Sequence, residues 1–323
     1  MRITARLKKK LYFVVAGYFR FFADFSLKRW RPRIVAITGS AGKTTMLNLV
    51  ESQLKAKAHY SHNANSAFGI AFDILGFDGV RGSKLRWLWL FVLAPLRATY
   101  FKHQEKFYIV EIDGERPHEA EFLATWLKPE VVLWVSLGLS HAVQFDCAVK
   151  SGKFTDLGSA IAHEFSSLAK NAKKLVIIDG ESKEMSAAVC GISAKVYKTD
   201  QTQLKSYSVS IRQTKLNTRS HEFIFNHPEP KDISTQILML EELMRYLKQE
   251  ISPDLSNMRI APGRSFVFSG IKDTVLLDST YNAHLISMTS ILNMVKSIKA
   301  PQKWLVLGDM IEQGSIEHSE HQK

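Results

Sequence analysis

The 323-residue sequence predicts an α/β fold in which a parallel sheet is covered by helices. Short apolar runs rich in Val and Ile alternate with helical stretches between residues 33 and 179, and such alternation is typical of parallel sheets covered on both faces. A glycine-rich turn joins the first of these runs to the first helix. Hydrophobic residues make up 46% of the chain and charged residues 23%, which is typical of globular rather than disordered proteins.

The expected elements follow in chain order. The predicted strands are the apolar runs Arg33–Thr38, Phe107–Ile112, Glu130–Ser136 and Lys174–Asp179. The predicted helices between them are Lys43–Ala56, Pro117–Leu127 and Leu157–Lys170. Polar alternation over Ser206–Asn226 predicts an antiparallel edge, and a helix is expected at about Asp232–Gln249.

A turn-forming stretch, Ser252–Gly263, predicts a domain boundary. Beyond it, a strand at Thr274–Asp278, a helix at Leu285–Ile298 and a strand at Lys303–Asp309 are expected to begin a second α/β unit. The sequence therefore divides into a basic amphipathic tail (1–32), a central domain (33–262) and part of a second domain (263–323).

The positive charge is concentrated at the N-terminus. The net charge is +12, but the first 33 residues hold ten Lys and Arg against a single Asp, so the rest of the chain is nearly neutral. Because the basic residues lie in an apolar, aromatic tail, the charge does not indicate a nucleic-acid-binding protein. Two cysteines are too few for a disulfide framework or a structural zinc site, and this fits a reducing cytoplasm.

Two apolar runs, Leu11–Phe19 and Trp87–Leu96, are each about half the ~20 residues that a membrane-spanning helix needs. For the first run, two interpretations remain open. Residues 2–30 form either a basic helix that lies peripherally on the inner face of an anionic membrane or a helix that packs on the domain. The second run favours a buried core helix.

The strongest motif is TGSAGKTT, between a predicted strand and a predicted helix. Its glycines allow backbone N–H groups to surround phosphate oxygens, and the helix N-terminus adds a positive dipole. Lys43 reaches the outer phosphates and the Thr44 hydroxyl holds Mg²⁺. Ile37 stands where the general P-loop has its first glycine, so this is a shorter variant. The predicted nucleotide-binding residues of the loop are Gly39, Ser40, Ala41, Gly42, Lys43, Thr44 and Thr45.

The order of further motifs resembles the Mur ligase family. These motifs are HNANSAFGIAFDILG, VEIDGERPHEAEFL, KPEVVLWVSLGLSHAVQF, APGR, LLDSTYNAH and VLGDMIEQG. The TYNA and GDMxExG segments look most like the branch that adds D-alanyl-D-alanine to UDP-N-acetylmuramoyl-tripeptide. The resemblance implies a central ATP-binding domain, the start of a Rossmann-like C-terminal domain, ATP and Mg²⁺ as cofactors, and amide-bond formation through an acyl phosphate in cytoplasmic peptidoglycan synthesis.

The resemblance also implies roles for residues outside the loop. Glu111 and His141 match the magnesium ligands that join Thr44, and Arg264 matches a catalytic arginine that approaches the phosphates. Three residues match the segment that lines the base and ribose: Asp278, Tyr281 and Asn282. Asn63 and Asn65 fall where relatives contact the muramoyl substrate.

The chain departs from the family pattern at three places. Residues 161–165 stand where relatives carry a carbamylated lysine that binds magnesium, and Glu164 is the carboxylate that would replace it. The basic tail stands in place of the uridine-nucleotide-binding domain, and the amine-substrate motif would lie beyond Lys323. Two alternatives therefore stay open, a Mur-like ligase for another carboxylate and a catalytically weakened nucleotide-binding protein.

Overall fold

The computed structural model describes residues 2–62, 64–79, 83–114, 116–139, 142–311 and 313–322, with only the backbone for residues 2–10 and 84. A six-stranded parallel sheet forms the centre of the fold, in the order β2-β3-β1-β4-β5-β6. Its strands are β1 (Arg33–Thr38), β2 (Ala58–Tyr60), β3 (Phe107–Glu111), β4 (Val131–Trp134), β5 (Leu175–Ile178) and β6 (Lys195–Lys198). The four predicted strands are confirmed, and β2 and β6 add two short edges.

Helices connect these strands and cover both faces of the sheet. They are α1 (Arg2–Trp30), α2 (Lys43–Leu54), α3 (Ala67–Ile74), α4 (Lys84–Tyr100), α5 (Glu119–Leu127), α6 (Asp146–Lys150), α7 (Leu157–Lys170), α8 (Lys183–Ala188), α9 (Ile233–Leu247), α10 (Leu285–Ser297) and α11 (Glu317–His321). The predicted helices that correspond to α2, α5, α7, α9 and α10 are confirmed. The predicted fold class is therefore correct for the central sheet and its helices.

The alternation of side chains along each strand supplies two cores, one on each face of the sheet. In β1, Val35 and Ile37 face the core formed with α2 and α9, whereas Ile34 and Ala36 face the other core. This second core receives side chains from α1, α3, α4, α5 and α7. The sheet is thus buried on both faces, as its nearly continuous apolar strands predict.

Helix α1 is a packed helix and not a free tail. Phe19, Ala23 and Leu27 are buried in the second core, and the Phe19 ring lies 4.8 Å from the Phe72 ring of α3. At its end, the Trp30 indole N–H donates to the Glu105 carbonyl at 2.7 Å. Of the two interpretations of this segment, packing on the domain describes its inner side. Its outer side is solvent-exposed and apolar.

Helix α4 contains the second apolar run, and only half of it is buried. Leu90, Ala94 and Ala98 face the core, while Leu88 and Trp89 are exposed. The expectation of a buried core helix is therefore wrong for its outer face. Among the described residues, no helix is both long enough and apolar enough to cross a membrane.

Two smaller sheets follow the central one. The polar alternation forms a separate antiparallel sheet of β7 (Leu204–Val209), β8 (Thr214–Thr218) and β9 (Glu222–Phe225), and not an edge of the main sheet. Strands β10 (Phe266–Ser269) and β11 (Val275–Asp278) form an antiparallel pair. The strand expected at Lys303–Asp309 is wrong, because this segment lacks a strand partner among the described residues and leaves Trp304 and Val306 exposed.

Candidate nucleotide-binding site

The glycine-rich loop lies at the carboxyl edge of the parallel sheet, between β1 and α2. Strand β1 lies between β3 and β4, and the chain continues from β1 to β2 and β3 on one side, but from β4 to β5 and β6 on the other. Such a reversal opens a crevice at the strand ends, which is where open α/β sheets bind ligands. The loop, the end of β3 and the segment after β4 meet at this crevice.

The loop backbone requires its glycines. Gly39 has a φ of 139°, and a Cβ atom there would lie 2.8 Å from the backbone of Ser136. Gly42 has a φ of 78°, in the left-handed region that favours glycine. The Ser136 side chain fastens the loop, since its hydroxyl donates to the Ala41 carbonyl at 2.8 Å and accepts from the Ala41 N–H at 2.7 Å. The loop conformation is therefore stabilised by the segment after β4 as well as by the loop's own glycines.

Lys43 is directed back over the loop. Its Nζ lies 2.8 Å from the Gly39 carbonyl and 2.7 Å from Asp113 Oδ1. Asp113 is almost fully buried and also accepts a hydrogen bond from the Asn65 amide. This network places Asn65, predicted to contact substrate, directly beside the cation predicted to hold phosphate.

Glu111 is the last residue of β3 and contacts the residue that follows Lys43. The Thr44 hydroxyl donates to Glu111 Oε2 at 3.0 Å, so the two predicted magnesium ligands that the structure describes are in contact. Burial raises the pKa of Glu111 above the ordinary glutamate value, Lys43 lowers it and Asp113 raises it again. A buried carboxylate with a raised pKa, next to a second carboxylate, is the electrostatic setting that a divalent cation stabilises.

Residues from both predicted domains line one cavity of about 780 Å³ around this cluster. Arg264 stacks its guanidinium 4.1 Å from the Tyr281 ring centre, and its buried Nε lacks a hydrogen-bond partner among the described residues. Asn282 lines the same cavity. Asp278 is outside the lining and instead accepts hydrogen bonds from Thr280, so it shapes the turn that presents the other two. An unpaired buried donor in a cavity with a phosphate-type loop fits an anionic ligand.

Two residues of the segment 161–165, Phe165 and Glu164, have structural roles. Phe165 is buried against Trp134 and lies under the turn at Gly114, where a Cβ atom would be 2.7 Å from its ring. The Glu164 carboxylate accepts the N–H groups of His118 and Ala120 at the start of α5. Both oxygens thus cap the start of a helix, and the expected role of Glu164 as a replacement magnesium ligand stays a prediction.

Asn63 and His141 lie outside the described residues, so their predicted roles stay predictions. Sequence reasoning missed Asp113, Ser136 and Gln236. Asp113 and Ser136 each follow a strand within a motif already identified, and this position was a usable signal for a site residue. Gln236 comes from α9, 194 positions after Gly42, and its amide would be 2.3 Å from a Cβ atom at Gly42. Its Oε1 is buried without a hydrogen-bond partner in the described part of the chain, and no local sequence pattern marks it.

The chain was compared with protein families, curated proteins and solved structures. No family model matches the chain. It is 23% identical over 308 residues to UDP-N-acetylmuramoyl-tripeptide–D-alanyl-D-alanine ligase of Escherichia coli (strain K12), a match that covers 90% of this chain and 60% of that enzyme. The chain is thus similar in sequence to this ligase over most of its own length. It spans about 60% of the length of the curated relatives it matches.

Solved MurF structures have the same fold. MurF ligase from Thermotoga maritima in complex with ADP superposes with a TM-score of 0.75 at 18% identity, covering 95% of this chain and 66% of that one. MurF from Acinetobacter baumannii gives a TM-score of 0.73 at 15% identity, covering 94% and 62%. The MurF-like fold of the described residues therefore extends over nearly the whole chain.

Proposed function

We propose that the chain works as an ATP-dependent amide-bond ligase of peptidoglycan precursor synthesis in the cytoplasm. It would join D-alanyl-D-alanine to UDP-N-acetylmuramoyl-tripeptide through an acyl phosphate. The observation that carries this proposal is the contact of Thr44 with Glu111 beside the Lys43–Asp113 pair, all at the mouth of a phosphate-type loop. The names of the curated relatives support the choice of the two substrates.

The chain's own residues divide the work of phosphoryl transfer. The loop N–H groups and the N-terminus of α2 bind phosphate oxygens, and Lys43 turns from Asp113 to the outer phosphates. Arg264 contributes a second cation from the other side of the cavity. Placing cations around the transferred phosphoryl group stabilises the charge that develops on its oxygens. Asn65 positions the muramoyl substrate, while Tyr281 and Asn282 contact the base and ribose.

Oxygen ligands for Mg²⁺ are present in the loop and at the end of β3. The Thr44 hydroxyl and the Glu111 carboxylate would hold the ion, with Asp113 adjacent, and His141 would complete the set as in relatives. Hard oxygen ligands of this kind suit Mg²⁺, which keeps several waters and binds through one or two carboxylates. When bound, the ion neutralises charge on the nucleotide phosphates.

The aromatic side chain at position 165 favours a second candidate function, a nucleotide-binding protein with weakened catalysis. Phe165 is apolar and buried, and it lies in the segment 161–165 where the resemblance implies a modified lysine, so it supplies no ligand there. This candidate predicts nucleotide binding without turnover. A Mur-like ligase for another carboxylate predicts turnover that ignores the muramoyl peptide.

Calorimetry on the Lys43→Ala variant tests the phosphate-binding assignment. Removing the cation should weaken ATP·Mg²⁺ about 100-fold, because hydrogen bonds to charged groups contribute about 1.5–3 kcal/mol each, and should leave adenosine almost unaffected. Lys170→Ala, at the exposed end of α7, is the matched control and should bind like the wild type. Equal ATP affinity in both variants would refute the assignment.

A phosphate-release assay tests the reaction. Release that requires both UDP-N-acetylmuramoyl-tripeptide and D-alanyl-D-alanine supports the ligase. Release that proceeds without the muramoyl peptide would contradict it and favour another carboxylate substrate or a simple ATPase. Tight ATP binding without release under any substrate combination would favour the weakened protein.

We also propose that residues 2–30 make a peripheral contact with an anionic membrane at its inner face. The support comes from the outer side of α1, where Leu11, Val14, Phe21 and Phe25 are exposed while the opposite side is packed in the core. A basic helix with an exposed apolar side is typical of interfacial binding. This contact leaves the nucleotide cavity open and requires no membrane-spanning segment.

A further inference from the structure

The outer side of α4 is as apolar as that of α1. Its large exposed side chains recur at helical spacing and include Trp89, which is 65% exposed. The exposed apolar residues of α4 are Leu85, Leu88, Trp89, Val92, Leu96 and Tyr100. Large exposed apolar side chains that cluster on one side of a helix are typical of an interaction site.

The two helices lie side by side. The Tyr18 hydroxyl of α1 donates to the Phe91 carbonyl of α4 at 2.7 Å, and the Phe19 ring lies 4.9 Å from the Phe91 ring. Near their C-terminal ends, the Arg29 guanidinium donates to the Thr99 carbonyl at 2.6 Å. Contacts at both positions mean that the helices run side by side in the same direction, and each has apolar side chains on its exposed side. We call these two outer sides together the α1–α4 platform.

The stretches of sequence that contain the two helices of the platform are also strongly positive. Residues 1–33 and 79–104 together hold 15 of the 43 Lys and Arg residues and one of the 31 Asp and Glu residues. Their combined charge exceeds the net charge of the whole chain, so the remainder is slightly acidic. The parts of the sequence that contain the two helices therefore carry most of the net positive charge of the chain.

A cavity of about 540 Å³ opens beside α4 on this platform. Arg86, Arg97 and Trp89 line it. Asp78 also lines it, with a carboxylate oxygen 3.9 Å from the Arg86 guanidinium. Two arginines and an indole at the edge of an apolar surface match the level of a bilayer at which charged headgroups meet acyl chains.

We infer that α4 and α1 form one platform that docks on an anionic lipid bilayer. The inference deepens the peripheral contact proposed above for residues 2–30 and rests on it. Apolar side chains of both helices enter the headgroup–acyl boundary, and the surrounding cations bind anionic headgroups. The nucleotide cavity is lined by other elements and stays accessible in the docked protein.

Charge decides against two other occupants. A second copy docked through the same platform would place two strongly positive surfaces against each other, which is unfavourable. Nucleic acid would bind the cations, but Leu88, Val92 and Leu96 would gain little beside phosphates. A bilayer with anionic headgroups satisfies both the charge and the apolar area.

Co-sedimentation with vesicles tests the platform on the full chain. Deleting residues 2–30 is unsuitable because this would remove part of the core, so the variants change exposed side chains only. The α4 variant is Leu88→Ser/Val92→Ser/Leu96→Ser, and the α1 variant is Phe21→Ser/Phe25→Ser. The matched control is Ile271→Ser/Trp304→Ser, which removes two exposed apolar side chains far along the chain from both helices.

The wild type should bind vesicles of phosphatidylglycerol and phosphatidylcholine, and bind them at least about tenfold more tightly than vesicles of phosphatidylcholine alone. The α4 and the α1 variants should each bind the anionic vesicles at least about tenfold more weakly, while the control binds like the wild type. All variants should keep wild-type ATP affinity, which shows that they are folded.

Normal vesicle binding by the α4 variant, with loss in the α1 variant, would overturn the platform and leave the contact of residues 2–30 standing. A wild type that stays in the supernatant at low salt would overturn both. Equal binding to neutral vesicles would overturn the role of charge. A concentration-dependent dimer that the α4 variant abolishes, in the absence of vesicle binding, would identify a second copy as the occupant.

Discussion

The carboxyl edge of the sheet buries charged side chains, whereas the α1–α4 platform exposes apolar ones. At the edge, Lys43, Glu111 and Asp113 carry charge into a nearly buried site. On the platform, large apolar side chains such as Trp89 and Phe21 remain in solvent. Each arrangement is unfavourable for an isolated chain unless a ligand or a surface completes it. The two regions therefore point to two different binding events on one molecule.

Between these regions lies an ordinary apolar core, and helix α1 belongs to both the core and the platform. Its inner side packs on α3, whereas its outer side is exposed. The two sides of a single helix thus offer a direct way to separate what stabilises the fold from what serves binding.

The largest expected effect is that of Phe19→Ala, on the inner side of α1. Phe19 is fully buried and its ring contacts those of Phe72 and Phe91, so its removal leaves a cavity in the core. The free energy of unfolding should fall by about 3–5 kcal/mol, as for other buried Phe→Ala substitutions. Chemical denaturation measures this change.

Phe21→Ala, two positions along the same helix, is the matched control. Phe21 is 71% exposed, so its removal should change the free energy of unfolding by no more than about 0.5 kcal/mol. Similar losses in the two variants would mean that the outer side of α1 is covered in the folded protein, and the comparison of core and platform would fail.

The two sides of α1 and α4 could not be told apart from the sequence. Both helices carry apolar residues around most of their circumference, so periodicity does not identify which side meets solvent. The buried strands β1, β3, β4 and β5 were predictable because a strand covered on both faces reads as a continuous apolar run. The edge strand β6 reads Lys-Val-Tyr-Lys, and its polar ends concealed it.

The candidate site shows a similar division. The loop residues were predictable because a strand, a glycine-rich turn and a helix follow each other directly in the sequence. The place of Asp113 just after a strand was a usable signal, but its pairing with Lys43 was not predictable, since it depends on the direction of the Lys43 side chain. The strand expected at Lys303–Asp309 failed for a tertiary reason, because an apolar run becomes a strand only when a neighbour pairs with it.

A medium effect is expected at the carboxyl edge from Asp113→Asn. Asp113 holds Lys43 at 2.7 Å, so the neutral variant frees the lysine and removes a negative charge from the phosphate site. Without Mg²⁺, ADP should bind about tenfold more tightly, which corresponds to about 1.4 kcal/mol. With Mg²⁺ the gain should be smaller, because the carboxylate beside Glu111 no longer attracts the ion. Calorimetry in chelator and in excess Mg²⁺ measures both values.

Asp179→Asn is the control for this gain, since Asp179 lines the same cavity but makes no ion pair with Lys43 among the described residues. It should change the Mg²⁺-free affinity much less than Asp113→Asn. Equal gains would show that the effect comes from overall charge in the cavity and not from the release of Lys43.

The smallest effect is expected from Glu111→Gln, and its sign is favourable to stability. Because burial raises the pKa of Glu111, the folded state holds this proton more tightly than the unfolded state does. Compared with Glu111→Gln, the wild type therefore loses stability as pH rises through the raised pKa. Below the ordinary glutamate pKa, the two proteins should be equally stable. Glutamine avoids the charge, so the variant should be slightly more stable than the wild type at pH 7, while the Mg²⁺ dependence of ATP binding is lost.

Glu130→Gln provides a control of opposite sign on the same sheet. The hydrogen bond from Arg33 holds the pKa of Glu130 below its usual value, so its ionised form stabilises the fold above the ordinary glutamate pKa, and this contribution is lost as pH falls through the lowered one. Glu130→Gln should thus be less stable than the wild type at pH 7 and approach it in acid. Thermal melts of both variants from pH 3 to 8 should diverge in opposite directions. If Glu111→Gln is also destabilising at neutral pH, the carboxylate at the nucleotide site is a stabilising group, and the contrast between a strained binding edge and a stable core is lost.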